Sequence, residues 1–543
     1  MHFWHLLPLV ALPYACHVLL PGRAELPDNG RQECDLPALI DATVDDLREG
    51  LENGCFTSVE LVKAYTLRIH EANPRTNAVL ELNDDAVNIA RGLDEERRRC
   101  HVRGPLHGLP VLIKDLIGTS DQLNNTAGSY ALLGTKLPAE ATVVTRLREQ
   151  GLIILGKSSV SEWANFRSFN SSNGWNARLG QTYGAYYPEQ DPSGSSSGSA
   201  VATDLGLATF ALGTETSGSI LLPSENSNIV GIKPTVGLTS RHMVIPISER
   251  QDTIGPLAKT VKDAAMLLQA FAGADPKDNY TLASPFGNFL PDYVDACKRS
   301  GLRGKRIGVP RNVIDYLEQN DAPIISLFDQ AISVIESAGA AVIDDTNFTS
   351  YNDFSSSSIP ALVVAADFTS NTATYLSSLT SNPNQLHSVG DIRRFVQQTP
   401  AEEYPSRDTG IWDSVIAAGM TNTSPGFWSL YQESLKFAEE GGLLGALKRH
   451  ELDAVILPTH LAPDIPAILG TPVITVPMGA YSDGTPVRHN ARGNLVDQAP
   501  GIPLGISFLG PKWSEEALIG MAYAFEQRTL VRDRLERHYE PIL

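Results

Sequence analysis

The sequence predicts a layered α/β protein built around a large mixed, mostly parallel β-sheet. Three short continuous apolar runs, LIIL at 152–155, AVIL at 454–457 and VITV at 473–476, are typical of strands buried on both faces. Helical patterns alternate with these runs along most of the chain. That alternation indicates one sheet covered by helices.

The helix boundaries follow from capping residues. A helix over 57–74 begins at a capping box of Thr57 and Glu60, and Pro74 is expected to end it. A similar helix is predicted over 260–273, with Thr at its start and Gly at its end. The region 345–385 is rich in Ser, Thr and Asn, which predicts an exposed and irregular segment.

Composition restricts the classes of partner. The chain has 543 residues, of which 42% are apolar, so it can build a large core. It carries 43 basic and 62 acidic residues, a net charge of −19. Because binding to phosphates or anionic lipids requires a basic surface, neither nucleic acid nor an anionic membrane surface is expected as a partner.

The N-terminal 24 residues resemble a secretory signal peptide. Residues 6–20 are mostly apolar, and the small residues Gly22 and Ala24 follow, although no Lys or Arg precedes the run. Two prolines and a histidine interrupt this run, and it is shorter than the roughly 20 residues of a membrane-spanning helix. We therefore expect a signal at 1–24, one domain over 25–543, no stable membrane span, and a location outside the cell or in the secretory lumen.

Sequons and cysteines are compatible with that route. N-glycosylation requires the N-x-Ser/Thr pattern, which occurs five times, at Asn124, Asn170, Asn279, Asn347 and Asn422. Removal of the signal would leave four cysteines, Cys34, Cys55, Cys100 and Cys297. They are either free buried thiols or two disulfides in one of three pairings. No C-x-x-C or H-E-x-x-H spacing indicates a metal site.

The Gly-Ser-rich segment DPSGSSSGSAV at 191–201 has the composition of a linker but lies inside the α/β pattern. It contains a literal G-x-S-x-G centred on Ser196, the pattern of a nucleophile elbow. An elbow requires a buried strand immediately before it, and YGAYYPEQDPS is no such strand. A phosphate-binding loop fails as well, because the Lys-Ser/Thr pair of that motif is missing.

A third interpretation combines three separate segments. Lys114 ends the apolar run of GPLHGLPVLIKD, where burial would favour a neutral amine. The Gly-Ser run follows at 194–198, and GTETSGSILLPSENSNIVGIKPTVGL follows at 213–238. A neutral lysine can activate a serine nucleophile where no histidine is available.

These segments, together with DTIGPLAKTVKDAA at 252–265 and TPVITVPMG at 471–479, resemble the amidase signature family. The similarity runs from about residue 43 to 530, and GSSSGSAV with GTET resembles the branch of peptide amidases and fungal amidases. The resemblance implies a three-layer α/β/α fold and hydrolysis of a small-molecule or peptide amide to an acid and ammonia or an amine. It implies no metal or organic cofactor.

The family's catalytic residues transfer to matching positions of this chain. The resemblance implies that Ser219 is the nucleophile, that Ser195 bridges it after a cis Gly194–Ser195 bond, and that Lys114 is the base. Ser196 is expected to support the lysine by hydrogen bonding. The backbone N–H groups expected in the oxyanion hole are those of Thr216, Ser217, Gly218 and Ser219.

Departures from the family pattern leave the substrate open. The family's GGSIR corresponds here to SGSIL, with Ser217 and Leu221 in place of Gly and Arg, and KDN corresponds to KDL at Leu116. Three rival functions remain: a tRNA-dependent transamidase subunit, which the leader and acidic charge disfavour, an acyltransferase or amide-forming enzyme with the same triad, and an inactive binding homologue.

Overall fold

The predicted apolar strands form the middle of one large sheet. The computed structural model describes residues 34–287, 289–315, 317 and 322–543, so the predicted signal peptide lies outside the described residues. The strands in this part are β1 Val79–Leu82, β2 Pro110–Lys114, β3 Ile153–Ser158, β4 Trp175–Asn176, β5 Gly180–Gln181, β6 Phe210–Glu215, β7 Val230–Lys233, β8 Thr253–Ala258, β9 Arg306–Gly308, β10 Ala341–Ile343, β11 Ala454–Pro458, β12 Val473–Ala480, β13 Arg488–His489, β14 Val496–Gln498 and β15 Pro503–Leu509.

Eleven of these strands join in the order β1-β3-β2-β6-β8-β7-β12-β15-β11-β9-β10. This confirms the α/β class and the large mixed sheet. Parallel pairs lie in two groups, β3-β2-β6 and β11-β9-β10, and the other neighbours pair antiparallel. The sheet thus has fewer parallel pairs than we predicted. An apolar run buried on both faces has the same sequence pattern whether its neighbouring strands are parallel or antiparallel.

Helices surround the sheet, and several begin at the predicted caps. The helices of the described residues are α1 Val44–Glu52, α2 Ser58–Thr76, α3 Ala86–Arg98, α4 Thr142–Glu149, α5 Ser197–Asp204, α6 Leu221–Asn226, α7 Val261–Phe271, α8 Arg311–Ile314, α9 Ala322–Ser337, α10 Tyr351–Ser356, α11 Ile359–Ser378, α12 Val389–Gln398, α13 Gly410–Ala418, α14 Phe427–Ala438, α15 Leu443–Arg449, α16 Asp464–Leu469 and α17 Glu515–Thr529.

The capping box of Thr57 and Glu60 is present at the start of α2, but the helix continues past Pro74 to Thr76. In the last turn a proline removes only one backbone hydrogen bond, so it does not end the helix there. Asn77 ends it instead, with a left-handed φ of 47° and its N–H donating to Asn73.

The prediction of an irregular segment at 345–385 was wrong, because α11 fills twenty of these residues. Several of its hydroxyl side chains bond to carbonyl oxygens four residues earlier, as Thr369 does to Ala365 and Thr374 to Ser370. Ser and Thr can therefore be accommodated on this helix, and their abundance obscured the apolar pattern of its buried face, which includes Val363, Phe368, Tyr375 and Leu376.

Three further features of the fold are the state of its cysteines, the result of a search for membrane-spanning helices and the extent of its core. Cys34 and Cys55 form a disulfide with 5.3 Å between their Cα atoms, Cys100 is also disulfide-bonded, and Cys297 is a free thiol. In the described ranges, no helix combines the length and apolarity needed to cross a membrane. One continuous cluster of buried apolar side chains extends from Leu39 to Phe525.

Candidate active site

Lys114 is the last residue of β2 and is completely buried. Its Nζ lies 2.8 Å from Ser195 Oγ, 2.9 Å from Ser196 Oγ and 2.9 Å from the carbonyl oxygen of Thr214. Ser196 in turn donates to the same Thr214 oxygen, at 3.2 Å. The hydrogen bond expected between Ser196 and the lysine is therefore present.

Burial dominates the electrostatics of this lysine. Desolvation lowers the pKa of Lys114 well below its ordinary value, and the carboxylates of Glu215 and Asp252 only partly oppose this. Asp115 faces the other side of the strand, where its carboxylate accepts from Thr126 and from the Gly128 N–H. Successive side chains of a strand point to opposite faces, so Asp115 does not contact the amine.

Ser195 lies in the Gly-Ser-rich loop that leads into α5, and the peptide bond between Gly194 and Ser195 is cis, as expected. The loop packs tightly against its surroundings: a Cβ on Gly198 would lie 2.2 Å from the carbonyl oxygen of Ala78. The Ser196 N–H donates to the Ser219 carbonyl at 3.1 Å. This contact joins the Gly-Ser loop to the segment that carries Ser219.

Ser219 lies in the turn between β6 and α6, and Glu215 organises that turn. One Glu215 carboxylate oxygen accepts from the Gly218 N–H at 2.8 Å, and the other accepts from Ile220 and Leu221 at 2.7 and 3.1 Å. Gly218 adopts a φ of 80°, which favours glycine. Since its N–H is bound to Glu215, Gly218 does not fit the expected oxyanion hole. This interaction between side chain and backbone had no signal in the sequence pattern.

Two carboxylates hold the other side chains of the same turn. Thr216 Oγ1 donates to Asp252 Oδ1 at 2.6 Å, and Ser217 Oγ donates to Asp464 Oδ1 at 2.8 Å. Burial raises the pKa of Asp252 to about 6, while its hydrogen bond from Thr216 acts in the opposite direction. Sequence reasoning missed Asp252 as a site residue, although it opens the matched segment DTIGPLAKTVKDAA.

Two cavities meet at Ser219. Cavity A has a volume of about 340 Å³, and its lining includes Ser195, Thr216, Ser219 and residues of α11. Cavity B has a volume of about 410 Å³, and its lining includes Thr216, Ser217, Ser219 and apolar side chains such as Leu222 and Ile468. Ser196, the centre of the G-x-S-x-G pattern, is fully buried and lines neither cavity.

Comparisons with known proteins assign the chain to one family. The Amidase family model matches residues 60–519. A putative amidase of Arthroderma benhamiae is 53% identical over 94% of this chain and 89% of that protein. A probable amidase of Arabidopsis thaliana is 38% identical over 91% of each chain.

A solved structure supports the same assignment. The native peptide amidase of Stenotrophomonas maltophilia is 36% identical, with a TM-score of 0.82 over 92% of this chain and 99% of its own. The protein described here is accordingly a member of the amidase family, a hydrolase that acts on amide C–N bonds.

Proposed function

We propose that Ser219, Ser195 and Lys114 form a Ser-cis-Ser-Lys triad that hydrolyses a neutral peptide amide or a similar small amide through an acyl-enzyme. The observation that carries this proposal is the contact between Lys114 and Ser195, because it joins a buried amine to a hydroxyl that lines cavity A. Ser219 lines the same cavity and is 8% exposed.

The hydrogen-bond partners of Lys114 favour a role in which it accepts a proton from Ser195. The Thr214 carbonyl can only accept, and Ser196 uses its own proton to donate to that carbonyl, so both take an N–H from Lys114. A neutral amine has two N–H groups and one lone pair. The lone pair is then left for the hydroxyl proton of Ser195.

The reaction follows from this arrangement. Ser219 Oγ attacks the amide carbon while its proton passes to Ser195 Oγ and the proton of Ser195 passes to Lys114 Nζ. The backbone N–H groups of Thr216, Ser217 and Ser219 are the proposed donors to the oxyanion, since among the described residues they have no protein acceptor. When the C–N bond breaks, the relay returns a proton to the leaving nitrogen. Water then repeats the sequence and releases the acid.

The substrate assignment rests on the relatives and on the cavities. The matched solved structure is a peptide amidase, and cavities A and B extend from Ser219 in two directions. The lining charges of cavity A include Arg241, which is paired with Asp278 at 2.7 Å. Paired charges favour a neutral ligand over a charged one.

Labelling and product analysis test the proposal together. A fluorophosphonate should label Ser219, and Ser219→Ala should abolish labelling and lower kcat by several orders of magnitude, about 10⁴-fold or more. Primary amides and peptide amides should release ammonia and acid in equal amounts. Ser377→Ala, which changes an exposed serine of α11, should leave both readouts unchanged.

Two results would contradict this mechanism. A label on Ser196 would restore the nucleophile-elbow interpretation. Transfer of the acyl group to an added amine in preference to water would instead support the acyltransferase alternative.

A further inference from the structure

Cavity A contains buried polar atoms that no protein group satisfies. Asn371 and Tyr375 both line it and lie one helical turn apart on α11. Asn371 Nδ2 and Tyr375 Oη are buried without a hydrogen-bond partner among the described residues. Tyr375 as a whole is only 8% exposed.

Such atoms are costly unless something binds them. An unsatisfied buried amide or hydroxyl costs about 1–3 kcal/mol, and most buried polar groups in proteins are paired for that reason. These two side chains stand side by side at positions i and i+4 and line one wall of the cavity that contains Ser219. Their common partner is therefore expected to be a ligand in cavity A.

The pair offers uncharged hydrogen-bonding groups, which suit a neutral polar ligand. Burial raises the pKa of Tyr375, and Asp115 raises it further, so the phenol keeps its proton and can donate. The unpaired amide nitrogen of Asn371 can only donate, whereas the hydroxyl of Tyr375 can donate and accept. Around them, Arg241 is paired with Asp278, and Glu249 with Arg250 at 3.0 Å, while Asp252 and Lys277 also line the cavity.

We propose that Asn371 and Tyr375 form a specificity subsite that binds a second, neutral amide group in the acyl part of the substrate. The preferred substrate is then an N-acylated amino acid amide or a longer peptide amide, rather than a simple aliphatic amide. A backbone amide has one donor and one acceptor, which matches the hydrogen-bonding capacity of the pair. This inference rests on the proposed function in placing the scissile amide at Ser219.

The size of cavity A is that of a small-ligand site. Its volume of about 340 Å³ is near the lower end of the roughly 300–1,000 Å³ typical of ligand sites.

A pair of substrates isolates the second amide. N-acetyl-L-leucinamide and 4-methylpentanamide share the scissile amide and the branched side chain, but only the first has the additional amide. Tyr375→Phe and Asn371→Leu should each lower kcat/KM for N-acetyl-L-leucinamide about 5–10-fold, the loss expected for one neutral hydrogen bond. For 4-methylpentanamide the change should stay below about twofold.

Tyr293→Phe is the matched control. Tyr293 is also buried with an unpaired hydroxyl, but it lines neither cavity, so its loss should change neither rate. An equal loss for both substrates in Tyr375→Phe, or no loss for either, would overturn the subsite.

A binding measurement separates this inference from the proposed function. NMR titration of full-length Ser219→Ala with N-acetyl-L-leucinamide should show binding that Tyr375→Phe weakens. If the unmodified enzyme cleaves neither amide while this dependence on Tyr375 persists, the proposed function fails and the subsite stands. If N-acetyl-L-leucinamide does not bind, or if Tyr375→Phe does not change its binding, the subsite is overturned whatever the hydrolysis assay shows.

Discussion

Lys114 is one of several completely buried lysines, and burial by itself does not mark a base. Burial lowers the pKa of Lys157 and Lys233 to about 8 and that of Lys259 to about 7. The amines of Lys157, Lys233 and Lys259 all bond to backbone carbonyls. Lys114 differs because it also contacts Ser195, a hydroxyl that lines the cavity of Ser219.

The lowered pKa of Lys114 predicts the pH dependence. In the proposed mechanism the amine has no lone pair for Ser195 below that pKa, where it is protonated, and becomes competent as a base above it, where it is neutral. We expect kcat/KM for a neutral amide to rise with pH along one limb that ends below the ordinary lysine value of about 10.4, and then to stay level. Asp252 has a pKa of about 6 and stays ionised above pH 7, so its titration does not change the profile in that range.

Two variants serve as controls for that profile. Lys114→Ala should lose most of the activity together with the limb. Lys259→Met removes another buried lysine, which bonds to the carbonyls of Leu39 and Ala42, and the limb should keep its position in that variant. A normal rate and profile in Lys114→Ala would remove this lysine from the mechanism.

The sheet and one turn bring the site together. β2 and β6 are parallel neighbours, so Lys114 and Glu215, their last residues, lie at the same edge of the sheet. Glu215 then holds the turn from β6 into α6 by three backbone N–H groups. The position of Ser219 therefore depends on the junction between β6 and α6 and on the Glu215 carboxylate, which lines neither cavity.

We predict that Glu215→Gln lowers kcat about 10–100-fold with little change in KM. The variant keeps the shape but has one acceptor oxygen in place of two, so at least one backbone N–H of the turn loses its acceptor, and an unsatisfied buried group costs about 1–3 kcal/mol. Because the oxyanion donors act mainly in the transition state, the loss should appear in kcat. Steady-state kinetics measures it.

Glu225→Gln is the matched control on α6. Burial raises the pKa of Glu225 to about 8, so at pH 7 this carboxyl is mostly protonated and resembles an amide. Its partner is the Gly505 N–H and not the turn of Ser219. Similar losses in both variants would show that Glu215 has only a general structural role.

At the scale of the whole molecule, several features favour an oxidising secretory route. A disulfide joins Cys34 to Cys55, the N-terminus resembles a signal peptide, and five sequons occur. The sequons differ in accessibility: Asn170 and Asn279 are exposed, while the side-chain amides of Asn124 and Asn422 donate to Glu81 and Glu249. Asn170 is thus an accessible acceptor.

We predict that the native protein begins beyond residue 15 and carries glycan at Asn170 or Asn347, and less at Asn279, which is exposed but lines cavity A. Asn124 should be unmodified, because a glycan on its side-chain nitrogen would displace the hydrogen bond to Glu81. N-terminal sequencing and glycopeptide mass spectrometry of protein from its native source measure both. An intact Met1 without glycan would contradict the secretory route.

Local patterns in the sequence determined the α/β class, the caps of α2 and α7, and the positions proposed for the triad. Capping depends on residues three positions apart, and the strands at 153–158, 454–458 and 473–480 each overlap one of the predicted apolar runs. Motif similarity pointed to Lys114, Ser195 and Ser219 because each lies in a short matched segment.

Tertiary structure alone decided the antiparallel middle of the sheet, the use of the Gly218 N–H by Glu215, and the wall that α11 adds to cavity A. Thr216 meets Asp252 across 36 positions and Ser217 meets Asp464 across 247. Tyr375 enters the cavity of Ser219 from a helix whose Ser- and Thr-rich composition predicted no helix. Such contacts depend on which elements become neighbours when the core is buried, and local residue patterns do not encode that choice.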